Sequence, residues 1–285
     1  MKQSYKKSVF NACFAFMLML VMALLCCTGC ATKEDKPYIG VWWWYPAMSS
    51  DLDKYFEFAL DNGVTHIYSN EIHFNEDTKY FVKKCNENNV KVYMLDGRYQ
   101  YLTEEYDKSQ LIKRLYKLIN FNTDYYSFDG AHLDIEPHQA PDFDERREEL
   151  IYKLIDLAHE LKQSFPTVSF EYDIPFWFDD QITYNNVTKP AYAHMIDVAD
   201  RITIMSYRDT AWEIYDVASD EIEYAKSVNK PLNVSVETGE DDIDKVTFYE
   251  EGREYMDAEL KELRERLPKD FGIVIHHIRT WYYLK

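Results

Sequence analysis

The sequence predicts an α/β fold, a single (β/α)8 barrel that lacks its eighth outer helix. Eight short segments rich in β-branched and aromatic residues alternate with amphipathic helical segments from residue 38 onward. This alternation is typical of parallel strands joined by helices. Roughly 250 residues carry the pattern, which is the usual size of one such barrel. An open doubly wound sheet is the alternative, but the glycine-rich phosphate-binding turn of that fold is missing after the first strand.

The predicted strands are short, and most of them end in polar side chains. They are Tyr38–Trp44, Thr65–Asn70, Lys91–Asp96, Gly130–Glu136, Val168–Pro175, Arg201–Tyr207, Pro231–Glu237 and Gly272–Ile278. The helical patterns between them have apolar residues at a spacing of three to four positions. They are Asp51–Asn62, Asp77–Asn88, Ser109–Phe121, Asp144–Phe165, Ala191–Val198, Val217–Val228 and Phe248–Leu267.

The end of the sequence limits the last unit of the barrel. The predicted eighth strand ends at Ile278, and the sequence ends at Lys285. We therefore expect no eighth outer helix. The groove between strands eight and one would be covered by the N-terminal tether, by the tail Trp281–Leu284, or by a neighbouring molecule.

The N-terminus resembles a bacterial lipoprotein signal peptide. Three lysines lie within the first seven residues, the run Val9–Cys27 is almost entirely apolar, and Gly29-Cys30 follows. The resemblance implies that Cys30 carries a lipid and that the mature protein is anchored to a membrane of the bacterial cell envelope, on its periplasmic or cell-surface face. A plain membrane-anchoring helix is the alternative, because the run is about long enough to span a bilayer.

These features divide the chain into three parts. Residues 1–29 are the predicted signal peptide, residues 30–37 a tether, and residues 38–285 a TIM-barrel domain. The net charge is −18, and removing the lysine-bearing signal makes it more negative. Nucleic acid is therefore an unfavourable partner, whereas uncharged glycans are compatible. Cys85 alone remains besides Cys30, so we expect no disulfide, no cysteine-based metal site and no cofactor.

The fourth predicted strand carries the most informative polar residues. Residues 129–137 read Asp-Gly-Ala-His-Leu-Asp-Ile-Glu-Pro. Side chains alternate along a strand, so His132, Asp134 and Glu136 share one face and the intervening apolar residues share the other. The two carboxyl groups lie about 7 Å apart along the strand, close enough for one charge to raise the pKa of the other. Such a pair suits general-acid chemistry near neutral pH.

Residues 129–136 resemble the fourth-strand signature of family 18 glycoside hydrolases, the chitinases and endo-β-N-acetylglucosaminidases. That signature is Asp-Gly, one residue, and then three acids at alternating positions. His132 stands in place of the first acid, while Asp134 and Glu136 match the second and third. Met205-Ser206-Tyr207 resembles the Met-x-Tyr-Asp of the family, with its acid displaced to Asp209.

The resemblance implies a function and residue roles. The chain would hydrolyse an N-acetylhexosamine-containing glycan by a retaining, substrate-assisted mechanism. Glu136 would protonate the leaving oxygen, Asp134 would orient the acetamido group, and Tyr207 would stabilise the oxazolinium. Trp281 resembles the tryptophan that forms the floor of the sugar site. Active sites of barrels lie at the carboxyl ends of the strands, where we expect the substrate-binding residues Trp44, Asp96, Asp209, Glu237, His277 and Trp281.

Other interpretations of the same residues stay open. Glu237 could be the nucleophile of a retaining glycosidase, or it could hydrogen-bond the loop at Gly239. A groove without catalysis would make the protein a glycan-binding lipoprotein. A metal-dependent hydrolase is the third class, although His276 and His277 are adjacent and point to opposite faces of a strand.

Overall fold

The computed structural model describes residues 36–44, 51–70, 72–103 and 108–285. The predicted signal peptide, Cys30 and the tether up to residue 35 lie outside the described residues. Residues 37–285 form one compact unit. Within the described part of the chain, no helix is both long enough and apolar enough to cross a membrane.

Eight parallel strands close into a barrel, which confirms the predicted fold. Their order around the barrel is β1, β2, β3, β4, β5, β8, β9, β10 and back to β1. The strands, in chain order, are β1 Ile39–Trp43, β2 His66–Ser69, β3 Lys91–Asp96, β4 Gly130–Leu133, β5 Ser169–Pro175, β6 Gln181–Tyr184, β7 Val187–Pro190, β8 Arg201–Met205, β9 Leu232–Glu237 and β10 Gly272–His276.

The antiparallel pair β6–β7 lies outside the barrel and was not predicted. Asn185 and Asn186 connect its strands, both with positive φ angles of 49° and 63°. A two-residue loop with this geometry matches the right-handed twist of a hairpin, and Asn adopts it more readily than most residues. The Asn-Asn pair was therefore the available sequence signal for this hairpin.

Nine α-helices surround the barrel in the described chain. They are α1 Leu52–Asp61, α2 Glu76–Glu87, α3 Ser109–Phe121, α4 Phe143–Ser164, α5 Ala191–Val198, α6 Ala211–Val217, α7 Ser219–Ser227, α8 Arg253–Arg266 and α9 Ile278–Tyr283. The expectation of no eighth outer helix was wrong, because α9 follows the eighth barrel strand. It is only six residues long and packs beside α1 and β1, so the chain tail covers the groove, as one of the three alternatives proposed.

The barrel has an apolar outer layer and a mixed interior. Ala131, Leu133 and Ile135 belong to the outer core between strands and helices. His132 is fully buried inside the barrel, where its ring stacks on Tyr68 with centroids 3.8 Å apart. The predicted assignment of faces on the fourth strand is thereby confirmed. Its physical basis is the period of two along a strand.

Candidate active site

Two adjoining cavities open at the carboxyl ends of the barrel strands. The Trp44 cavity has a volume of about 360 Å³ and is lined by Trp42, Trp44, Gly97, Asp134, Glu136, Gln139, Asp173, Met205, Tyr207 and His276. The Trp177 cavity has a volume of about 620 Å³, and its walls include Trp177, Phe176, Arg208, Ile243 and Lys245. Glu136, Met205 and Tyr207 line both cavities. A ligand spanning both would therefore pass directly over Glu136 and Tyr207.

Glu136 is held at the junction by the turn that follows β4. The short 3-10 helix Pro137–Gln139 begins directly after Glu136. Its Oε2 lies 3.0 Å from His138 Nε2, and its Oε1 accepts a hydrogen bond from Gln139. The side chain keeps 16% of its surface exposed. The proline-initiated turn thus fixes an accessible carboxyl group at the cavity wall.

Asp134 is buried deeper on the same face of β4. Its backbone carbonyl lies against Gly97, where an added Cβ would approach the oxygen to 2.0 Å, so only glycine allows this contact between β3 and β4. Burial raises the pKa of the Asp134 carboxyl well above its usual range, and the negative charges of Asp173 and Glu136 raise it further. The ionised form of Asp134 is therefore disfavoured in this position.

His132 joins two carboxylates of the neighbouring strand β5. His132 Nε2 lies 2.8 Å from Asp173 Oδ2, and His132 Nδ1 lies 3.5 Å from Glu171 Oε2. Burial by itself would lower the pKa of His132, but Asp173 and Glu171 raise it to about 9. The ring is thus a buried imidazolium at neutral pH, in contact with two acids.

Tyr207 follows β8 and places its phenol in the same region. Burial of the hydroxyl raises its pKa well above the ordinary value, and Glu237, Asp173, Asp134 and Glu136 raise it further. The phenol therefore stays neutral and can donate a hydrogen bond. Its position brings it together with Asp134 and Glu136, as the sequence predicted.

Trp44, His276 and Glu237 form a second connected group at the Trp44 cavity. Trp44 Nε1 donates to His276 Nε2 at 2.7 Å, and His276 Nδ1 lies 2.5 Å from Glu237 Oε2. Because an indole only donates, His276 carries its proton on Nδ1 and donates to Glu237. The other oxygen of Glu237 accepts from the backbone N–H groups of Thr238 and Gly239 at 2.7 and 2.6 Å.

The pKa of Glu237 reflects this position. Burial opposes its ionisation, yet His276 and the two backbone donors lower its pKa. Both oxygens of Glu237 are therefore engaged in orienting His276 and the Gly239 loop. Of the predicted substrate-binding residues, Trp44 lines the Trp44 cavity. Glu237 lines neither cavity and is connected to the Trp44 cavity through His276.

Four other predicted substrate-binding residues do not line either cavity. Trp281 lies on α9 at the outside of the barrel, with its ring 5.1 Å from Phe58 and the guanidinium of Arg253 at 5.2 Å. The expectation that Trp281 forms the floor of the site was therefore wrong. The strand ends before this residue, and α9 turns its indole onto the outer helices.

His277, Asp96 and Asp209 also require correction. His277 is the N-cap of α9 and accepts from the backbone N–H of Arg279, whereas its neighbour His276 lines the cavity. Asp96 forms an ion pair of 2.7 Å with Arg114. Asp209 is 6% exposed, and burial followed by the charge of Glu213 raises its pKa. None of these three side chains lines either cavity.

Sequence reasoning missed Asp173, His276, Trp177 and Arg208 as residues of this site. Asp173 shares its strand face with Glu171, so the alternation on β5 was an available signal. His276 was considered together with His277, and only His277 was predicted to bind the substrate. Side-chain alternation gives no such signal for Trp177 or Arg208, because both residues follow the ends of strands, where the alternation no longer holds. In residues 36–44, 51–70, 72–103 and 108–285, no group of three or more His, Cys, Asp or Glu side chains could hold a metal ion.

Comparison with known proteins identifies similar folds. No protein-family model matches the chain, and no curated protein sequence is similar to it. Among solved structures, it is similar to a chitinase from Bacteroides thetaiotaomicron, with a TM-score of 0.54 at 13% identity, over 86% of this chain and 90% of that one. It is also similar to the glycoside hydrolase domain of PelA from Pseudomonas aeruginosa, with a TM-score of 0.52 at 12% identity, over 87% and 98%. These similarities show the barrel fold.

Proposed function

We propose that the protein is a glycoside hydrolase that cleaves an N-acetylhexosamine-containing glycan, with Glu136 as the general acid. The observation that carries this proposal is the convergence on one cavity of Glu136, of Asp134 with its raised pKa, and of neutral Tyr207. Two of the solved structures to which this barrel is similar are a chitinase and a glycoside hydrolase domain. At their low identity they support the fold, so the chemistry is argued from the side chains.

In the proposed reaction, Glu136 donates its proton to the glycosidic oxygen as the bond to the anomeric carbon breaks. The acetamido oxygen of the substrate attacks that carbon and closes an oxazolinium ring. Asp134 accepts a hydrogen bond from the acetamido N–H, and Tyr207 donates one to the acetamido oxygen. Water then opens the ring, with Glu136 acting as the base. Because both cavities adjoin Glu136, sugars are held on both sides of the cleaved bond.

The surroundings of Glu237 favour substrate assistance over a nucleophile on the enzyme. Thr238, Gly239 and His276 occupy both oxygens of Glu237. A nucleophilic carboxylate must also face the anomeric carbon, and Glu237, unlike Glu136, lines neither cavity. We therefore assign Glu237 to holding His276 in its neutral form, with His276 accepting from Trp44.

A screen of the purified protein against chitin oligosaccharides, N-glycans and peptidoglycan fragments tests this function. We expect release of new reducing ends with at least one of these glycans, and inhibition by a thiazoline analogue of the cyclised sugar. A 2-fluoro sugar with a good leaving group should leave Glu237 unmodified in mass spectrometry. A glycosyl adduct on Glu237 would replace the substrate-assisted mechanism with double displacement.

The same screen separates catalysis from binding alone. If glycans bind the wild type and Glu136→Gln with equal affinity but are never cleaved, the protein is a glycan-binding lipoprotein. The replacement of the first signature acid by His132 is the feature that makes this the second candidate.

We further propose that Cys30 carries a lipid that anchors the mature protein in the bacterial cell envelope. The support is the order of basic residues, apolar run and Gly29-Cys30 in the sequence. Mass spectrometry of the protein from bacterial membranes should show a diacyl- or triacyl-modified N-terminal Cys30. An unmodified or uncleaved N-terminus would overturn this assignment.

A further inference from the structure

Arg208 is a half-buried cation on the wall of the Trp177 cavity. Its Nη1 donates to the backbone carbonyl of Tyr207 at 2.7 Å, and its guanidinium lies 4.8 Å from the ring centroid of Phe176. Neither contact involves a carboxylate, and no ion pair joins Arg208 to an Asp or Glu in the part of the chain that the structure describes. A guanidinium has several N–H donors in a planar fork. Most of these donors therefore have no described partner and can bind a ligand in the cavity.

Other arginines of the barrel do have carboxylate partners. The chain contains 50 Asp and Glu residues against 32 Lys and Arg, so acids are in excess. Ion pairs of 2.5 to 2.8 Å join Arg114 to Asp96, Arg147 to Asp180, Arg253 to Asp257 and Arg266 to Glu262. A positive charge that is partly withdrawn from water without a counter-charge is unfavourable. The exception at Arg208 lies at the candidate active site, which indicates that a ligand supplies the acidic group.

The position of Arg208 in the sequence reverses a charge next to Tyr207. The motif that Met205-Ser206-Tyr207 resembles continues with an acid, whereas this chain continues with Arg208 and then Asp209. Asp209 is 6% exposed and lines neither cavity. Directly after Tyr207, the cavity wall therefore carries a positive charge where the motif would carry a negative one.

We propose that Arg208 binds a carboxylate on the sugar that occupies the Trp177 cavity, and so selects glycans in which an acidic sugar adjoins the N-acetylhexosamine. This inference rests on the function proposed above and names its substrate class. The parallel N–H groups of a guanidinium fit the two oxygens of a carboxylate. Trp177 and Phe176 on the same wall offer aromatic surface to the sugar ring, and Lys245 adds a second positive charge. A hexuronic acid and a lactyl-substituted hexosamine both present the required group.

Three acids on the same wall determine how this recognition works. Glu213, Asp241 and Asp244 also line the Trp177 cavity. Glu213 accepts a hydrogen bond from Thr210 at 2.9 Å, and Asp241 accepts one from a backbone N–H of its own loop at 2.8 Å. Their charges oppose a carboxylate at longer range, so selection depends on direct contact with Arg208 instead of on the overall charge of the wall. The same acids make a sugar with a free amino group the competing ligand.

Isothermal titration calorimetry with Glu136→Gln tests this selectivity without cleavage. The probes are hyaluronan oligosaccharides, which carry uronic acids, peptide-free peptidoglycan fragments, which carry lactyl groups, the carboxyl-reduced form of each, and chitosan oligosaccharides, which carry free amines. We expect at least one carboxylate form to bind about tenfold or more tightly than its reduced form. The pair that shows this difference identifies the source of the carboxylate. Equal affinities within both pairs, or tightest binding of chitosan, would overturn the proposal.

Adding Arg208→Gln to Glu136→Gln tests whether Arg208 is the residue responsible. The ratio of affinities between carboxylate and reduced forms should fall to about one, because the amide has neither the charge nor the paired donors. Arg208→Lys keeps the charge without the planar fork and should retain only part of the ratio. Arg266→Gln is the matched control and should keep the full ratio. Arg266 also lies over an aromatic ring, that of Trp212 at 5.9 Å, but it is paired with Glu262 and lines neither cavity.

The outcomes separate the failure of this inference from the failure of the proposed function. An unchanged ratio in Arg208→Gln would assign the selectivity to other residues and contradict the proposal. If Arg208→Gln does not fold, Arg208→Lys decides in its place, and a full ratio in that variant counts against the planar contact. If the wild type cleaves no glycan but the preference that depends on Arg208 is present, the hydrolase function fails and this inference stands. Cleavage of chitin oligosaccharides with no preference for a carboxylate gives the reverse result.

Discussion

Buried polar groups occupy both the lower part of the barrel interior, toward the amino ends of the strands, and the upper part, toward their carboxyl ends. The two parts differ in how completely these groups are hydrogen-bonded. In the lower part, Asn233 donates to Thr203 and Tyr68 and accepts from Arg201, with distances of 3.0 to 3.3 Å. Tyr38 bonds both Tyr68 and Glu171. In the upper part, Asp134 and Asp173 each leave one oxygen unpaired beside a cavity.

This difference shows which buried polar residues belong to a site. Burial by itself does not distinguish the two regions, because both contain buried polar groups. The lower network pairs its groups internally, which is the arrangement expected of residues that stabilise the fold. The upper group retains unmatched acceptors at the cavity, which a ligand can use. His132 lies at the boundary and contacts one acid from each region, Glu171 below and Asp173 above.

Glu136→Gln should give the largest effect on activity. The amide keeps the size of the side chain but cannot donate the proton to the leaving oxygen, so turnover should fall by about 10²–10⁴-fold. Initial rates on the glycan identified by the screen measure this change. The melting temperature should stay close to that of the wild type, and wild-type turnover would remove Glu136 from its role.

Asp134→Asn should lower turnover somewhat less, by about 10²–10³-fold, because the preorganised charge facing the oxazolinium is lost. Glu237→Gln is the comparison, since that carboxylate reaches the substrate only through His276. We expect the smaller loss for Glu237→Gln in parallel kinetics. The reverse order of the two losses would favour Glu237 as the nucleophile.

The pH dependence of stability should reveal the charge on His132. Its pKa in the folded protein is about 9, above its usual value. Its contribution to the free energy of unfolding is therefore fully present below the unfolded pKa of about 6.5 and is lost as the pH rises through 9. Asp173 and Glu171 face the ring from β5, while Tyr68 and Trp42 contact it as neutral groups.

Thermal melts between pH 6 and pH 10 measure this effect. The melting temperature of the wild type should fall across the alkaline half of that range. His132→Gln should melt lower at pH 7 and lose most of this alkaline decline. Parallel curves for the two proteins would show that His132 is neutral in the folded state.

Asn233→Ala tests the lower network and should give the smallest effect on catalysis. Removing this side chain leaves partners of Asn233 unpaired in the barrel interior, so the free energy of unfolding should fall by about 1–3 kcal/mol. Denaturant titration measures the loss. Turnover at 25 °C should stay within twofold of the wild type. A large loss of turnover in a stable variant would mean that the two regions act as one unit.

The sequence by itself determined the features that depend on position along one element. The alternation of strand and helix patterns predicted the barrel, and the period of two placed His132, Asp134 and Glu136 on its inner face. These predictions need only local geometry, which the chain specifies residue by residue. Tyr207 was predicted instead from the resemblance of Met205-Ser206-Tyr207 to a family motif, and it follows a strand whose carboxyl end faces the site.

The tertiary structure decided which side chains of different strands meet. The contact of His132 with Asp173 depends on the register of β4 and β5, and the chain from Trp44 through His276 to Glu237 depends on the closure of three strands. Trp281 was misplaced because α9 begins immediately after β10 and turns its indole onto Phe58. Barrel shear and helix docking set these distances, and no pattern within a single strand contains that information.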